Sequence, residues 1–489
     1  MTTPRQTTPR QDSLSQRSLR GTLWSLAAQG VMALAALLVF AMLGRMVSHA
    51  ELGEYMLALV GVGAVQWLAL NAYREPLIQA PELDDAPCSS VFWFSAGVAS
   101  LLAAALLGAA LWLDWRNAMP AAAACLPWLA LKLFCDTLAS VPMARCARAM
   151  RFPLLARINM AGSVLSSLLG ITLLQAGHGV LAVAAAQGVA STCSLALLLA
   201  CGGWWPARHF ARRELALLRA YSPHVVLWQG VEALNLYLDR FLVGTRIGAQ
   251  ALGVYGFGRR LNDIVIEVLA GAVGNVALPT YASLQKDATA LKRAYLRSMR
   301  IMSFVVFPVI GVLFAVADKL VPAVFGPDWV SAVPIYRCFL LLGVIQVIGI
   351  LQAALIRSLG FANLWARYQL LQAAANIAVL WLVIDHGIFA LAVGVVLRTS
   401  LIWLLAVKTC CRLLEMSMPA YLALFARPVL GAVLAGFVAA AALQLAGGVL
   451  PVVAIIAAVL AGAIAYLLAT LLGMRPVAGD IFNLITHRA

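Results

Sequence analysis

Long apolar stretches, each close to the length needed to cross a bilayer, follow one another through almost the whole sequence. The hydrocarbon core of a bilayer is about 30 Å thick, and a helix crosses it with roughly 20 mostly apolar residues. Fourteen windows between charged, glycine or proline residues fit this length, and they cover residues 22–43, 54–76, 91–113, 119–142, 154–176, 180–202, 221–246, 254–280, 302–324, 332–356, 367–384, 388–409, 428–446 and 450–472. The sequence therefore predicts an all-α polytopic membrane protein with about 14 transmembrane helices, numbered here as spans 1 to 14.

The overall composition excludes a soluble globular protein. Hydrophobic residues make up 63% of the 489 positions and charged residues only 11%, a balance that soluble domains do not show. The formal net charge of +15 would suggest a nucleic-acid partner in a soluble protein, but here the positions of the basic residues indicate membrane topology instead. The nine cysteines are scattered without a CxxC pair and are interpreted as small core residues, with no metal site.

The basic residues divide between the two sides of the membrane very unevenly. Three clusters follow even-numbered spans, around Arg145–Arg157, Arg208–Arg219 and Lys286–Arg300. Only four basic residues fall in the connections on the other side or at the span ends beside them, namely Arg45, Arg116, Arg246 and Lys319. Because basic loops stay on the cytoplasmic side, both termini are predicted to be cytoplasmic. Residues 1–20 form a polar, basic tail, and residues 22–43 are too long for the apolar core of a signal peptide.

A short pattern recurs at a constant offset of 200 residues. Gly44, Leu52, Gly53 and Tyr55 are matched by Gly244, Leu252, Gly253 and Tyr255. Both copies lie where an odd span turns into an even one, which favours an internal duplication. Because each half holds an even number of spans, the halves are parallel repeats. The sequence thus predicts two parallel six-helix lobes around a central cavity, with an N-terminal lobe at 21–205 and a C-terminal lobe at 206–415, followed by two extra helices and a cytoplasmic C-terminus at 416–489.

Charged residues inside the spans are the candidate functional residues, because such residues are costly in lipid and face cavities or partners. Arg259, Asp263 and Glu267 share one stripe of span 8. The cationic candidates for binding substrate are Arg74, Lys132, Arg240, Arg259, Arg260 and Arg398; the candidates for carrying a coupling ion are Asp136, Glu232, Asp239, Asp263 and Glu267. The alternative is that these charges neutralise one another in structural pairs, such as Arg259 with Asp263 or Lys132 with Asp136. Arg398 has no carboxylate in its own span.

The candidate cations favour an anionic substrate. Most of them are arginines, and a guanidinium group suits the bidentate binding of phosphate oxygens better than an ammonium group does. The sequence contains no GxxxxGK[ST] loop for ATP, so an ion gradient or the membrane potential is expected to supply the energy. Neither an enzymatic step nor a cofactor is predicted.

Several segments resemble bacterial polysaccharide flippases of the Wzx type. They are GTLWSLAAQGVMALAALLVFAMLGRMVSHAELGEYMLALV, EPLIQAPELDDAPCSSVFW, ARAMRF and LDRFLVGTRIGAQALGVYGFGRRL, in this order between residues 20 and 410. The resemblance implies a two-lobed transporter, related to multidrug exporters, that moves undecaprenyl-diphosphate-linked oligosaccharide between leaflets of the bacterial inner membrane by alternating access. It also implies membrane lipid as a partner, together with a polysaccharide polymerase and the export machinery.

Three other functions stay open on the sequence alone. A cation-coupled exporter of small drugs predicts a cavity dominated by carboxylates and aromatic residues. A peptidoglycan-precursor flippase is the second, because the helices after residue 416 exceed the twelve spans common in the Wzx type. A membrane polymerase, ligase or glycosyltransferase needs catalytic groups on a substantial loop. The external connections here are short, the longest running roughly from Asp318 to Ser331.

The predicted topology is open to a direct test. Fusions of green fluorescent protein and of alkaline phosphatase to the C-terminus report the side on which the last residue lies. With a cytoplasmic C-terminus, the fluorescent fusion is bright and the phosphatase fusion is inactive. An active phosphatase fusion and a dark fluorescent fusion would contradict the predicted orientation.

Overall fold

The structure, a computed structural model, describes residue 30 and residues 32–79, 84–215, 223–446 and 450–473. Every long element within these residues is a helix, which confirms the prediction of an all-α polytopic fold. The helices are α1 (Met32–Met46), α2 (His49–Gln79), α3 (Asp85–Trp115), α4 (Pro120–Arg148), α5 (Phe152–Gln175), α6 (Gly179–Cys201), α7 (Pro223–Leu242), α8 (Ala249–Ser283), α9 (Ala288–Phe325), α10 (Val333–Ser358), α11 (Ala362–Val383), α12 (Ile388–Leu413), α13 (Met418–Leu445) and α14 (Pro451–Gly473).

Each of the predicted spans overlaps one of these helices. Ten of the helices in the described residues, α3 to α6 and α9 to α14, are long and apolar enough to cross a membrane. The helix α1 is shorter, and residues 22–29 of the first predicted span, like the tail before them, lie outside the described residues. The number of fourteen crossings therefore stays a prediction.

The helix α9 corrects two expected connections. It begins at Ala288, well before the predicted start at 302, because the Asp287 side chain caps it by accepting a hydrogen bond from the backbone N–H of Ala290 at 2.9 Å. The basic residues that follow belong to its first turns, because Lys and Arg are good helix formers. At its other end it continues to Phe325, and the expected external loop at 318–331 is reduced to Gly326 and a 3₁₀ turn at Pro327–Ala332.

The chain divides into two compact units. The first comprises Met1–Val39, Val65–Ala118 and Ala123–Val226, and the second comprises Phe40–Ala64, Met119–Ala122 and Leu227–Ala489, as far as these ranges are described. The turn between α1 and α2, with the adjoining ends of both helices, thus belongs to the second unit, whereas the sequence assigned it to an N-terminal lobe at 21–205. The lobe boundaries at 205 and 415 stay a prediction.

Each unit has its own apolar core. In the first unit, Leu77, Val91, Phe92 and Val141 are buried together with Trp204. In the second unit, α13 and α14 pack on α9 through an apolar cluster, whose buried members are Val312, Val316, Ala435, Ala439, Ala458 and Tyr466. The two helices after residue 416 are therefore an integral part of the second unit.

The repeated glycines of the sequence meet in a reciprocal contact within the second unit. A Cβ atom on Gly53 would overlap the backbone carbonyl oxygen of Ala249, and one on Gly253 would overlap that of His49. His49 and Ala249 are themselves 200 residues apart, so the two copies of the repeat contact each other in the same way. Such close approach of two helix backbones requires a residue without a side chain.

Replacing either glycine by alanine is expected to destabilise the protein. Gly53→Ala and Gly253→Ala each force α2 and α8 apart, and overpacking of this kind costs roughly 1–3 kcal/mol or more. The control is Gly61→Ala, also in α2, where an added Cβ meets nothing within 4 Å and alanine is the better helix former by roughly 0.5–1 kcal/mol. Thermal unfolding of the detergent-purified variants measures the effect. Equal midpoints for Gly53→Ala and Gly61→Ala would show that the crossing is not tight.

Candidate substrate cavity in the second unit

The second unit contains a cavity of about 350 Å³ between α7, α8, α10, α11 and α12. Its wall is rich in charged and amide side chains, which is unusual between helices of such an apolar chain. The polar lining residues are Glu232, Asn235, Asp239, Arg259, Gln346, Arg357, Gln369, Gln372, Asn376, Arg398 and Thr399. Three aromatic residues, Trp365, Tyr368 and Trp403, complete the wall.

A buried ionic cluster contributes Asp239 and Arg259 to the wall of the cavity. Asp239 is 3% exposed and Arg259 is 8% exposed. A guanidinium nitrogen of Arg259 lies 3.9 Å from Asp239 Oδ2, and its Nε lies 3.4 Å from Asp263 Oδ1. Asp263 Oδ2 is also 3.0 Å from Arg240 Nη2, and the hydroxyl of Tyr255 donates to Asp239 Oδ2 at 2.9 Å. The cluster balances two carboxylates with two guanidinium groups, as buried charges require.

Local structure explains why these residues meet. The helix α7 ends in a π-helical turn at Val243–Ile247, and Gly248, with φ +120°, lets the chain reverse into α8. The reversal lays the last turns of α7 beside the first turns of α8, so that Asp239 faces Tyr255. Arg259 and Asp263 are neighbours because residues four apart share a helix face. The Arg259 guanidinium also lies 5.4 Å from the ring centre of Phe339, a favourable cation–π contact.

Arg398 carries the charge that this cluster does not neutralise. Its Nη1 donates to the backbone oxygen of Gln372 at 3.1 Å, and its Nη2 donates to the hydroxyl of Thr399 at 3.0 Å. Its Nε is buried and makes no hydrogen bond. Among the described residues, no carboxylate lies within ion-pair distance of Arg398, as the sequence of its own span suggested. A positive charge therefore borders the cavity with only neutral partners.

Other polar atoms of the wall also lack hydrogen-bond partners. The side-chain oxygens of Asn235 and Asn376 are buried acceptors without a donor, and the indole N–H of Trp403 is a buried donor without an acceptor. A buried polar atom that makes no hydrogen bond costs about 1–3 kcal/mol. These atoms are covered by the surrounding protein, so they add a cost to the packing of the wall.

The structure brings some of the predicted residues together and separates others. Glu232, Asp239, Arg259 and Arg398 line the cavity, and Arg240 and Asp263 belong to the same ionic cluster as Asp239 and Arg259. Arg260 instead pairs with Glu267 at 3.1 Å, and both side chains are exposed; these two residues do not line the cavity.

The remaining candidates belong to the first unit or are not described. In the first unit, Lys132 Nζ lies 2.6 Å from Asp136 Oδ2, and the same oxygen accepts a hydrogen bond from Gln66 at 2.6 Å. Lys132 and Asp136 therefore neutralise each other, which is the structural pairing that the sequence left open as an alternative. The side chain of Arg74 lies outside the described residues.

The sequence did not single out the uncharged polar residues of the cavity wall. Tyr368, Gln372 and Asn376 line the cavity and follow one another at intervals of four in α11, which puts them on one face. The sequence shows this spacing, but charge within the spans was the criterion for a candidate residue, and these side chains are uncharged. Arg357 was also missed, because it follows predicted span 10 at 332–356 directly and reads as a residue of the connection.

Comparison with known proteins identifies relatives in polysaccharide synthesis. The sequence pattern of a family described as polysaccharide biosynthesis protein matches residues 42–334. The chain is 28% identical over 145 residues to the teichuronic acid biosynthesis protein TuaB of Bacillus subtilis strain 168, a match that covers 30% of each protein. It is 23% identical over 353 residues to the lipopolysaccharide biosynthesis protein WzxC of Escherichia coli K12, covering 69% of each. The resemblance to the Wzx type is thereby confirmed.

The fold is similar to that of a solved flippase. The lipid II flippase MurJ in an inward closed conformation superposes with a TM-score of 0.73 at 14% sequence identity, covering 93% of this chain and 99% of that one. At this identity the likeness shows a shared fold. The chain is thus a multi-pass membrane protein with the architecture of that transporter.

Breaking the buried cluster is expected to destabilise the second unit. Arg259→Met removes the cation beside Asp239 and leaves a buried charge uncompensated, at a cost of about 3–5 kcal/mol. Adding Asp239→Asn removes that charge while the new amide oxygen still accepts from Tyr255, so the double variant recovers most of the stability. Chemical unfolding of the purified variants gives the free energies.

The matched control for this pair is Arg337→Met. Arg337 binds Asp318 at 2.7 Å, but both side chains are much more exposed, so the change is expected to cost no more than about 1 kcal/mol. Additive losses in the double variant Arg259→Met/Asp239→Asn would contradict the account of a mutually compensated pair.

Proposed function

Because the chain belongs to the polysaccharide biosynthesis protein family, we propose that it carries undecaprenyl-diphosphate-linked oligosaccharide from the inner to the outer leaflet of the bacterial inner membrane. The proposed cycle is alternating access, with a polar cavity that accepts the hydrophilic headgroup while the lipid tail stays in the bilayer. No covalent step and no cofactor enter this cycle.

One observation carries the proposal: the cavity wall of the second unit holds Arg398, which has no carboxylate within ion-pair distance among the described residues. A lipid-linked saccharide has a charged, heavily hydroxylated headgroup, which crosses hydrocarbon only at great cost. A cavity lined by Arg398 and several amide side chains replaces part of the water around such a headgroup. The candidate cations Lys132, Arg240, Arg259 and Arg260 already contact carboxylates, so Arg398 is the proposed contact for substrate in this unit.

The charge of the wall disfavours export of cationic drugs. Arg259, Arg357 and Arg398 line the cavity beside only two carboxylates, Glu232 and Asp239, and Asp239 is held by Arg259. A site for organic cations needs the opposite balance. A membrane polymerase is disfavoured as well, because most described connections between helices are short turns; the longest described one, residues 202–215 after α6, ends in the 3₁₀ turn Arg212–Leu215.

A peptidoglycan-precursor flippase is the remaining alternative. MurJ, which shares the fold, is named for that lipid, and both cargoes are lipid diphosphates. The family pattern and the relatives TuaB and WzxC are named for other polysaccharides, which favours the first proposal. A parallel translocation assay with both lipid-linked substrates distinguishes these two functions.

The energy source and partners follow from the same proposal. A membrane potential of 100 mV, negative inside, favours the outward movement of each negative charge by about 2.3 kcal/mol, so a diphosphate gains from it directly. Glu232 and Asp239 line the cavity and stay candidates for carrying a coupling ion, together with Asp263. Both termini are proposed to lie in the cytoplasm, and a polysaccharide polymerase would receive the cargo outside.

The proposal is tested in vesicles that contain the purified protein and a labelled lipid-linked oligosaccharide. Capture of the sugar from outside counts the molecules in the outer leaflet over time. Arg398→Ala is expected to slow translocation at least tenfold, because a hydrogen bond to a charged group contributes about 1.5–3 kcal/mol. Arg398→Lys restores part of the rate, since the charge returns without the planar fork.

The control for this assay is Arg337→Ala, which removes an arginine outside the cavity and leaves the rate near that of the unmodified protein. Undiminished transport by Arg398→Ala would remove Arg398 from the proposed site. No transport of any lipid-linked saccharide by the unmodified protein would contradict the proposed function itself.

A further inference from the structure

The connection after α6 is folded against the first unit. It comprises residues 202–215, which are called the interface segment here and which end in a 3₁₀ turn. The backbone N–H of Ala207 donates to the hydroxyl of Ser89 at 3.1 Å, and the backbone N–H of Ala211 donates to the hydroxyl of Ser90 at 3.0 Å. The interface segment therefore has a defined place across the beginning of α3.

A buried tryptophan anchors the start of the interface segment. Gly203, with φ +72°, turns the chain away from the end of α6, and Trp204 is 6% exposed. The Trp204 ring lies edge to face with that of Phe92, with ring centres 6.1 Å apart, and the Arg145 guanidinium lies 5.1 Å from the centre of the Trp204 ring. Trp204 thus fixes the segment to the first unit, whereas its neighbour Trp205 is exposed.

The contacts with α3 place the interface segment near the boundary of the hydrocarbon layer. Ser89 and Ser90 directly precede the apolar window at 91–113, and each helical residue adds about 1.5 Å along the axis. Both residues therefore lie within about 3 Å of the end of that window, inside a headgroup layer about 5–7 Å thick. Trp93, within the window, donates its indole N–H to the backbone oxygen of Ala207 at 2.8 Å. The segment accordingly lies at the depth of the lipid headgroups.

The exposed side chains of the interface segment combine aromatic and basic residues. Trp205 is 68% exposed and Phe210 is 51% exposed, and Arg208, Arg212 and Arg213 are exposed between and beside them. Aromatic rings concentrate where hydrocarbon meets water, and guanidinium groups bind phosphate oxygens through paired hydrogen bonds. Both kinds of side chain therefore suit the headgroup layer.

The single carboxylate of the interface segment is engaged by the protein itself. The hydroxyl of Ser90 donates to Glu214 Oε2 at 2.5 Å, and Glu214 Oε1 lies 2.9 Å from His209 Nε2. These two contacts hold the pKa of Glu214 below its ordinary value, so the carboxylate stays ionised and in place. The three exposed arginines are therefore not neutralised by an acidic residue of their own segment.

We propose that the interface segment binds the headgroups of anionic phospholipids, with its exposed aromatic rings at the hydrocarbon boundary and its three exposed arginines facing the phosphates. In the predicted topology the lipids belong to the cytoplasmic leaflet, whose negative surface potential attracts basic segments next to membrane helices. An acidic protein partner would also match the arginines, but it would have to displace headgroups to reach a segment at this depth. The inference goes beyond the proposed function and does not depend on the identity of the cargo.

A fluorescent reporter on the interface segment tests the inference in the full-length protein. In a variant with the nine natural cysteines replaced, Ala207→Cys carries the environment-sensitive dye NBD, because the Ala207 side chain is exposed. The protein is placed in phosphatidylcholine nanodiscs that contain a small fraction of a quencher lipid. This lipid is either phosphatidylglycerol or phosphatidylcholine, each with a nitroxide near the top of an acyl chain. The ratio of the two quenching efficiencies measures the preference for the anionic headgroup.

We expect phosphatidylglycerol to quench at least fivefold more efficiently than phosphatidylcholine, because each arginine near an anionic surface strengthens binding about fivefold. Arg208→Gln/Arg212→Gln/Arg213→Gln brings the ratio close to one, and high salt lowers the ratio in the unmodified segment because it screens exposed charges. Trp205→Ser/Phe210→Ser instead lowers quenching by both lipids, because the segment loses its apolar contact with the bilayer.

The matched control is Lys286→Gln/Arg293→Gln/Arg412→Gln, which removes three exposed basic residues of the second unit and leaves the quenching ratio unchanged. Unfolding midpoints verify that every variant is folded. A ratio near one with the unmodified segment, or a ratio that the triple arginine variant leaves unchanged, would overturn the preference for anionic lipid. Quenching by aqueous iodide with none by either lipid would place the segment in water and overturn the proposal in favour of a soluble acidic partner.

Discussion

The second unit is organised around the cost of placing charge inside a bundle of membrane helices. A guanidinium group among apolar helices needs counter-charges, hydrogen-bond partners or water. The structure meets this requirement in two different ways. Arg259 is enclosed by Asp239, Asp263 and the ring of Phe339, whereas the partners of Arg398 among the described residues are a carbonyl oxygen and a hydroxyl. The first arrangement stabilises the fold, and the second is the one we propose to contact the substrate.

Close packing of helices in the same unit fixes the positions of the residues around the cavity. The reciprocal contact of Gly53 with Ala249, and of Gly253 with His49, fixes α2 against the beginning of α8. Ten residues after Ala249, α8 presents Arg259 to the cavity. On the other side, α9 is held by α13 and α14, and α10 contributes Phe339 and Gln346. The cavity is therefore bordered by helices whose positions are set by close packing on both sides.

The sequence predicted the architecture well, because runs of about twenty apolar residues leave few other folds open. It also singled out Arg259, Asp263 and Arg398, because charge within such runs is rare. It did not separate Arg259 from Arg260: the side chain of Arg259 is 10% exposed and that of Arg260 is 38% exposed, a difference set by the neighbouring helices α7 and α10. The sequence also did not single out Gln372 and Asn376, which line the same cavity as Arg398. The 200-residue repeat is visible in the sequence, but the reciprocal contact between its two copies is visible only in the three-dimensional structure.

The central claim is that a hydrated cavity with a positive potential lies inside the second unit, and the accessibility of a single thiol tests it most directly. In a variant with the nine natural cysteines replaced, Gln372→Cys places a thiol on the wall. An anionic thiosulfonate is predicted to modify this thiol faster than a cationic one, after correction for their rates with a free thiol, and Arg398→Gln should reduce the difference. A thiol that neither reagent reaches, or one that the cationic reagent modifies faster, would contradict the account.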